Sequence, residues 1–293
     1  MSVLEAYHLR KSFGGVHAVQ DVTFTVDAGE IVALIGPNGA GKSTTFNMLG
    51  GQLRPDDGEM WVRGKPATGL RPGKLWRLGV GRTFQITATF ASMTVRENVQ
   101  MAPLSASRAA SRFWRPNFWR PAARLHRAEA DALLERVGLL EQAERAAGVL
   151  AYGDLKRLEL ALALAHDPAL LLMDEPTAGM APAERGALMA LVRRLATERE
   201  LAVLFTEHDM DTVFAVADRV LVLDRGRVIA HGPPAAVRAD PRVQAVYLGT
   251  PPAAAAAPDA ALDTVPDAAA PDAVAPDAVG SDAATRPVPG SAG

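Results

Sequence analysis

The 293-residue sequence contains no cysteine. That excludes a disulfide framework and a thiolate metal site. The six histidines never form a close ligand pair such as HxxxH, so a familiar helical metal-binding spacing is missing too. Long hydrophobic runs are also lacking. The longest Leu/Ala-rich run, residues 158–165, contains Glu159. It falls far short of the roughly 20 apolar residues that a membrane-spanning helix needs. Residues 1–13 (MSVLEAYHLRKSF) are polar and show no secretory signal pattern. A soluble, cytoplasmic protein is the expectation.

Net charge is nearly absent as well, at −2, but that sum averages unlike parts. After residue 250 there are Asp259, Asp263, Asp267, Asp272, Asp277 and Asp282, with only Arg286 opposing them, so residues 251–293 carry −5 and residues 1–250 carry +3. The final stretch is nearly all Ala, Pro, Asp, Val and Gly, with a recurring Pro-Asp-Ala unit that has no apolar face. Such a composition cannot bury a core and is expected to be a disordered tail. About 250 residues remain, enough for one large domain with or without a subdomain.

What is present begins with alternation. Residues 22–26 (VTFTV) have period two, Ala28-Gly29 makes a turn, and residues 31–35 (IVALI) are fully apolar. A fully apolar run reads as a strand covered on both faces, as in central parallel strands. Residues 60–62 and 64–66 read as a hairpin-like β segment. Residues 93–148 are helix formers broken by Pro103, Pro116 and Pro121, with an amphipathic helix over 132–140 ended near Gly138. Further along, helices are expected over 154–166 and 182–195. Buried strands are expected over 170–173 (LLLM) and 202–205 (AVLF). Two more strands, over 220–223 and 227–230, flank the turn Asp224-Arg225-Gly226. Strands alternating with helices imply an α/β fold with a parallel sheet.

Residues 36–43 (GPNGAGKS) follow the first apolar strand and precede a helix over 44–49. They fit the phosphate-loop pattern G-x-x-x-x-G-K-[ST] with Gly36, Gly41, Lys42 and Ser43. Glycines let the backbone curl so that successive N–H groups point at phosphate oxygens. The helix behind presents its positive N-terminus to the same anion. Lys42 is placed to reach the β- and γ-phosphates, and the Ser43 hydroxyl to ligand Mg²⁺. The strand–loop–helix context makes a chance Gly-rich turn a poor alternative.

Asp174 and Glu175 end the second buried strand, and open α/β sheets bind ligands beyond the carboxyl ends of their strands. Asp174 is then placed for Mg²⁺ and Glu175 to polarise an attacking water. Taken alone, the two acids read equally well as strand-end surface groups. His208 follows the third buried strand, where it is placed to hydrogen-bond a γ-phosphate or to orient Glu175. A packing or surface role is the other reading. Gln85, within residues 81–85 (GRTFQ), reads alone as a surface amide.

These motifs occur together and in order: the phosphate loop, GRTFQ, LAYGD at 150–154, LLLMDEP at 170–176 and TEH at 206–208. In this the chain resembles an ATP-binding-cassette (ABC) ATPase over about residues 3–249. More narrowly, it is similar to the ATPase subunit of branched-chain amino-acid importers. The residues that carry this are SFGGVHAV at 12–19, GRTFQ, LAYG, the long segment near 100–130, DEPTAGM and VQAVYLG at 243–249.

The resemblance implies a P-loop (RecA-like) core over 1–250, with an antiparallel β subdomain and an inserted helical subdomain at about 88–165. It implies ATP held by Phe13 on the adenine ring and by Gly36, Asn38, Gly39, Gly41, Lys42, Ser43 and Thr44 on the phosphates. Mg²⁺ is implied on Ser43, Gln85 and Asp174, with Glu175, His208 and Gln85 in catalysis. Ordinary core packing is the other reading of Phe13. Ala151 and Gly153 lie in the signature position, where one subunit closes over the ATP of another. Here the sequence departs from the family pattern. Ala151 and Tyr152 replace Ser and Gly, Leu162 stands where many relatives carry Arg, and Ala181 replaces an acid.

The implied partners are a second ABC ATPase subunit, in a homo- or heterodimer, transmembrane permease subunits and, indirectly, a periplasmic binding protein. No nucleic acid is implied. The implied location is the cytoplasmic face of the inner membrane, held there by the permease. Alternatives are the ATPase of urea or amide uptake or of lipopolysaccharide export, or a non-transport ABC ATPase. Between Glu97 and Glu129 the sequence has no acid but carries Arg108, Arg112, Arg115, Arg120, Arg124 and Arg127 among four aromatics. Lipid headgroups, nucleic acid and a solvated helical hairpin are competing readings of that stretch.

Overall fold

A computed structural model of the chain describes residues 1–83, 89–106 and 127–248. Gln85, most of the arginine-rich stretch and the acidic tail lie outside the described residues. The chain divides into two units, Met1–Pro252 and Ala253–Gly293, and all described residues belong to the first.

The elements follow in chain order. Two long strands, β1 (Ser2–Phe13) and β2 (Val16–Asp27), precede β3 (Ile31–Ile35) and helix α1 (Lys42–Leu49). Next come β4 (Asp57–Val62), β5 (Lys65–Pro66), α2 (Pro72–Arg77) and β6 (Val80–Arg82). The helices α3 (Val95–Ala106), α4 (Arg127–Val137) and α5 (Tyr152–Leu164) lie between β6 and β7 (Leu170–Asp174). Then follow α6 (Pro182–Arg199), β8 (Ala202–Thr206), α7 (Met210–Val216), β9 (Arg219–Asp224) and β10 (Arg227–Gly232). Two short helices, α8 (Pro234–Ala239) and α9 (Pro241–Leu248), end the described part.

Among the described residues the ten strands form one sheet in the order β5-β4-β1-β2-β10-β9-β3-β8-β7-β6. Its β5, β4, β1 and β2 part is antiparallel. In the other part β9, β3, β8, β7 and β6 run parallel. One parallel register pair, Arg227 with Asp21, joins the two parts.

The apolar strands are buried on both faces, as their composition requires. In β3, Ile31, Ala33 and Ile35 enter one hydrophobic core, while Val32 and Leu34 enter another. The same alternation holds in β7, β8 and β9, for example with Val203 and Phe205 in the first core and Ala202 and Leu204 in the second. The first core also takes Val95, Val99, Leu133, Leu134 and Leu158, so α3, α4 and α5 share it with the sheet. The second is closed by β1, β2 and α1. Fully burying each Leu, Val or Phe contributes about 1.5–3 kcal/mol.

Several boundaries differ from the sequence reading. The helix expected over 132–140 begins at Arg127, and Gly138 ends it with φ 73°. That is the left-handed C-terminal glycine, with Leu139 N–H donating back to Leu134 O. Helix α3 runs through Pro103, where a break is expected, and ends at Ala106. Helix α5 begins at Tyr152, two residues ahead of expectation.

Candidate active site

The carboxyl ends of β3, β7 and β8 lie side by side because these strands are hydrogen-bonded in parallel. The loops that leave these three ends therefore gather at one place. The loop after β3 requires glycine at two points. At Gly36 an added Cβ would lie 2.2 Å from Leu223 O, and at Gly41 (φ 102°) one would lie 2.5 Å from Ala18 O. Gly226 N–H donates to Ala40 O, so the turn after β9 props the loop from behind.

The loop and its neighbours enclose a cavity of about 300 Å³, lined by Ala18, Asn38, Gly39, Ala40, Gly41, Lys42, Ser43, Thr44, Glu175 and His208. Lys42 is mostly buried, and its ammonium donates to Gly36 O at 2.6 Å and Pro37 O at 3.1 Å. Burial lowers its pKa, with the charges of Glu175 and Asp174 opposing that shift. The ammonium is thus held by neutral carbonyl acceptors, which an anion in the cavity would outcompete.

Asp174 is the last residue of β7 and pairs in register with Thr206 of β8. That register explains why the Thr206 hydroxyl donates to Asp174 Oδ1 at 2.8 Å. The other oxygen of Asp174 lies 3.6 Å from Arg82. Arg82 also reaches Asn47 Oδ1 at 2.9 Å and Gln52 Oε1 at 2.5 Å, tying β6 to the end of α1. Burial lowers the Arg82 pKa, and Asp174 opposes it.

Glu175 takes a left-handed backbone, φ 48°. Its N–H donates to Thr206, and its Oε1 lies 2.8 Å from His208 Nε2. The Glu175 side chain is 28% exposed and that of His208 52% exposed, so both face the cavity rather than the core. Glu207 is buried instead. Its Oε1 accepts from the Thr177 N–H at 2.9 Å and the Thr177 hydroxyl at 2.6 Å.

The structure thus brings together Gly39, Gly41, Lys42, Ser43, Thr44, Asn38, Glu175 and His208, with Gly36 and Asp174 adjoining. Phe13 does not line this cavity. It sits at the end of β1, 47% exposed, with Lys11 Nζ 5.6 Å from its ring centroid, so it is not a core residue. Ala151 and Gly153 are also elsewhere, at the start of α5. Ala151 is the exposed N-cap without a side-chain bond, and Gly153 is buried against Glu184. Sequence reading overlooked the part of Thr206 and Arg82. Both stand inside motifs it marked, TEH and GRTFQ, but their link to Asp174 depends on strand register.

Comparison with known proteins places this arrangement. The ABC transporter family model matches residues 19–178. A second model, for the branched-chain amino acid ATP-binding cassette transporter, matches residues 227–253. The high-affinity branched-chain amino acid transport ATP-binding protein BraF of Pseudomonas aeruginosa is 40% identical over 84% of this chain and 98% of its own length. LivG of Escherichia coli K12, which carries the same description, matches equally well. The crystal structure of the ADP conformation of MJ1267, an ATP-binding cassette of an ABC transporter, superposes with a TM-score of 0.76. That chain is 32% identical, and the match covers 85% of this chain and all of the other. These matches reach from the second strand to the last helix, and the chain belongs to the ATP-binding subunits of the ABC transporter family.

Proposed function

We propose that the chain hydrolyses ATP to drive an importer of branched-chain amino acids, with Glu175 receiving the proton of the attacking water. The observation that carries the chemistry is the Glu175–His208 pair facing the phosphate-loop cavity at 2.8 Å. The cargo rests on the descriptions of BraF and LivG and on the match at residues 227–253.

In this reading the ATP phosphates enter the cavity and accept hydrogen bonds from the N–H groups between Gly39 and Thr44. Lys42 leaves the carbonyls of Gly36 and Pro37 for the β- and γ-phosphates. Phe13, exposed on the β subdomain, takes the adenine ring. Water adds to the γ-phosphorus as the bond to the bridging oxygen of ADP breaks. Glu175 takes the water's proton, and His208 holds the carboxylate through Nε2.

Ser43 and Asp174 are hard oxygen donors beside the phosphates, a set that suits Mg²⁺ completed by substrate oxygens. When bound, that ion neutralises charge on the β- and γ-phosphates. Gln85 is proposed as a further contact to it. The start of α5, with Ala151 and Gly153, lies outside the chain's own cavity and offers the N–H groups of a helix N-terminus. It is proposed to meet the ATP of a second ATPase subunit. Movement of α3, α4 and α5, the helical subdomain, would then reach permease subunits at the inner membrane. Among the described residues no helix is long and apolar enough to cross a membrane. Residues 251–293 are proposed as an appended tail without a part in ATP binding.

Reconstitution tests the proposal. The full chain, its permease subunits and the binding protein are placed in proteoliposomes with ATP inside. ATP-dependent uptake of leucine, isoleucine and valine is expected. Turnover without uptake of any of the three would reject the cargo.

A further inference from the structure

The loop between β7 and α6, residues 175–181, is fastened to the end of β8 at two points directly and at a third through Arg185 of α6. Glu175 meets His208, Thr177 meets Glu207, and Met180 O accepts from Arg185 Nε at 2.8 Å. Arg185 in turn pairs with Asp209 at 2.7 Å. A fourth contact comes from the opposite side. The Tyr152 hydroxyl, in the first turn of α5, donates to Ala178 O at 3.0 Å. Its ring lies against Gly179, where an added Cβ would sit 3.5–3.7 Å from the ring and hydroxyl atoms.

Tyr152 is itself held in place. Lys156, one turn along α5, has its ammonium 5.5 Å from the Tyr152 ring centroid. Lys156 and Glu159 form an ion pair at 3.0 Å, with both side chains more than nine-tenths buried. Removing two charges from water is costly, and Glu159 Oε1 is buried without a hydrogen-bond partner among the described residues. A half-exposed tyrosine at a helix start has little packing value of its own. A buried ion pair set beneath it makes sense if the ring must keep one orientation toward the loop.

We propose that Tyr152 is a positioning residue that latches the loop behind Glu175 to helix α5, so that displacement of α5 resets Glu175 and changes turnover rather than nucleotide binding. This rests on the reading of Glu175 as proton acceptor. The backbone makes the coupling direct. Ala178 N–H donates to Glu175 O at 3.1 Å, so the residue that Tyr152 grips is bonded to the residue that acts.

The test uses the full chain with Tyr152→Phe, which keeps the ring and removes the hydroxyl, and Tyr152→Ala, which removes both. In Tyr152→Phe the melting temperature and the affinity for a fluorescent ATP analogue should match wild type. Hydrogen exchange at the amides of residues 178–180 should quicken. The kcat should fall about 2- to 12-fold at constant KM, the weight of one neutral hydrogen bond, and further in Tyr152→Ala. Wild-type exchange in Tyr152→Phe, wild-type kcat despite faster exchange, or a change in KM alone would each overturn the latch. A Glu175→Gln control separates the two readings. Wild-type turnover in that control would remove the premise, whereas an inactive control beside unaltered Tyr152→Phe removes the latch alone.

Discussion

Glu175 shows how much one residue here depends on its neighbours. A left-handed backbone costs a non-glycine residue about 1–2 kcal/mol, and only surrounding contacts keep it there. Thr206 supplies them at the N–H and His208 at the carboxylate. Lys42, Asp174, Glu175 and His208 were legible in the sequence because each closely follows an apolar strand. Arg82 and Thr206 were not, since their partner is chosen by pairing across the sheet, and no local pattern states a register. Phe13 had two readings, an adenine contact or a core residue, and its 47% exposure removes the core reading. His166 gives a prediction at this scale. It stacks on Trp76 with ring centroids 4.5 Å apart, and burial lowers its pKa to about 4. Unfolded, the same imidazole titrates near 6.5. Between these values the unfolded chain binds a proton that the folded chain does not, so acidification favours unfolding. Denaturant melts should show stability falling as pH drops from about 6.5 toward 4. His166→Phe should lose part of that dependence, and an unchanged pH dependence would refute it.

At the scale of elements, the central strands do the placing. Each is short, apolar and buried on both faces, so its residues alternate between two cores and its end is fixed relative to its neighbours. Phe205, fully buried in β8, is one residue ahead of Thr206. Phe205→Ala should cost about 3–5 kcal/mol, measured by equilibrium denaturation. A loss under about 1 kcal/mol would mean that the core collapses freely around the gap. The buried strands and the phosphate-loop helix were legible because composition alone marks a two-sided burial. The strand over Ser2–Phe13 was not. Its pairing with β2 shifts register between Ala6 and Leu9 and again near Lys11, which breaks the period of two that betrays a strand. Helix α5 was placed two residues late because its N-cap, Ala151, has no capping side chain to announce it.

Over the whole molecule, the near-zero charge conceals a weakly positive part, residues 1–250, and an acidic stretch after it. The relatives BraF and LivG are matched over 98% of their own length by 84% of this chain. ATP chemistry and its coupling therefore belong to what is shared, and the phosphate loop, Asp174 and Glu175 lie within the matched residues 19–178. Every strand end that forms the cavity comes from the parallel part of the sheet, whereas α5 approaches from the helical part through Tyr152. Turnover and helix position are linked at that point, and both lead to Glu175. The most direct measurement is steady-state ATP hydrolysis by the purified full chain beside Glu175→Gln, with binding of a fluorescent ATP analogue followed in parallel. Losing the proton acceptor should lower turnover about 10²- to 10⁴-fold while nucleotide binding persists. Equal rates in the two proteins would contradict the assignment of Glu175 and, with it, the mechanism built on the site.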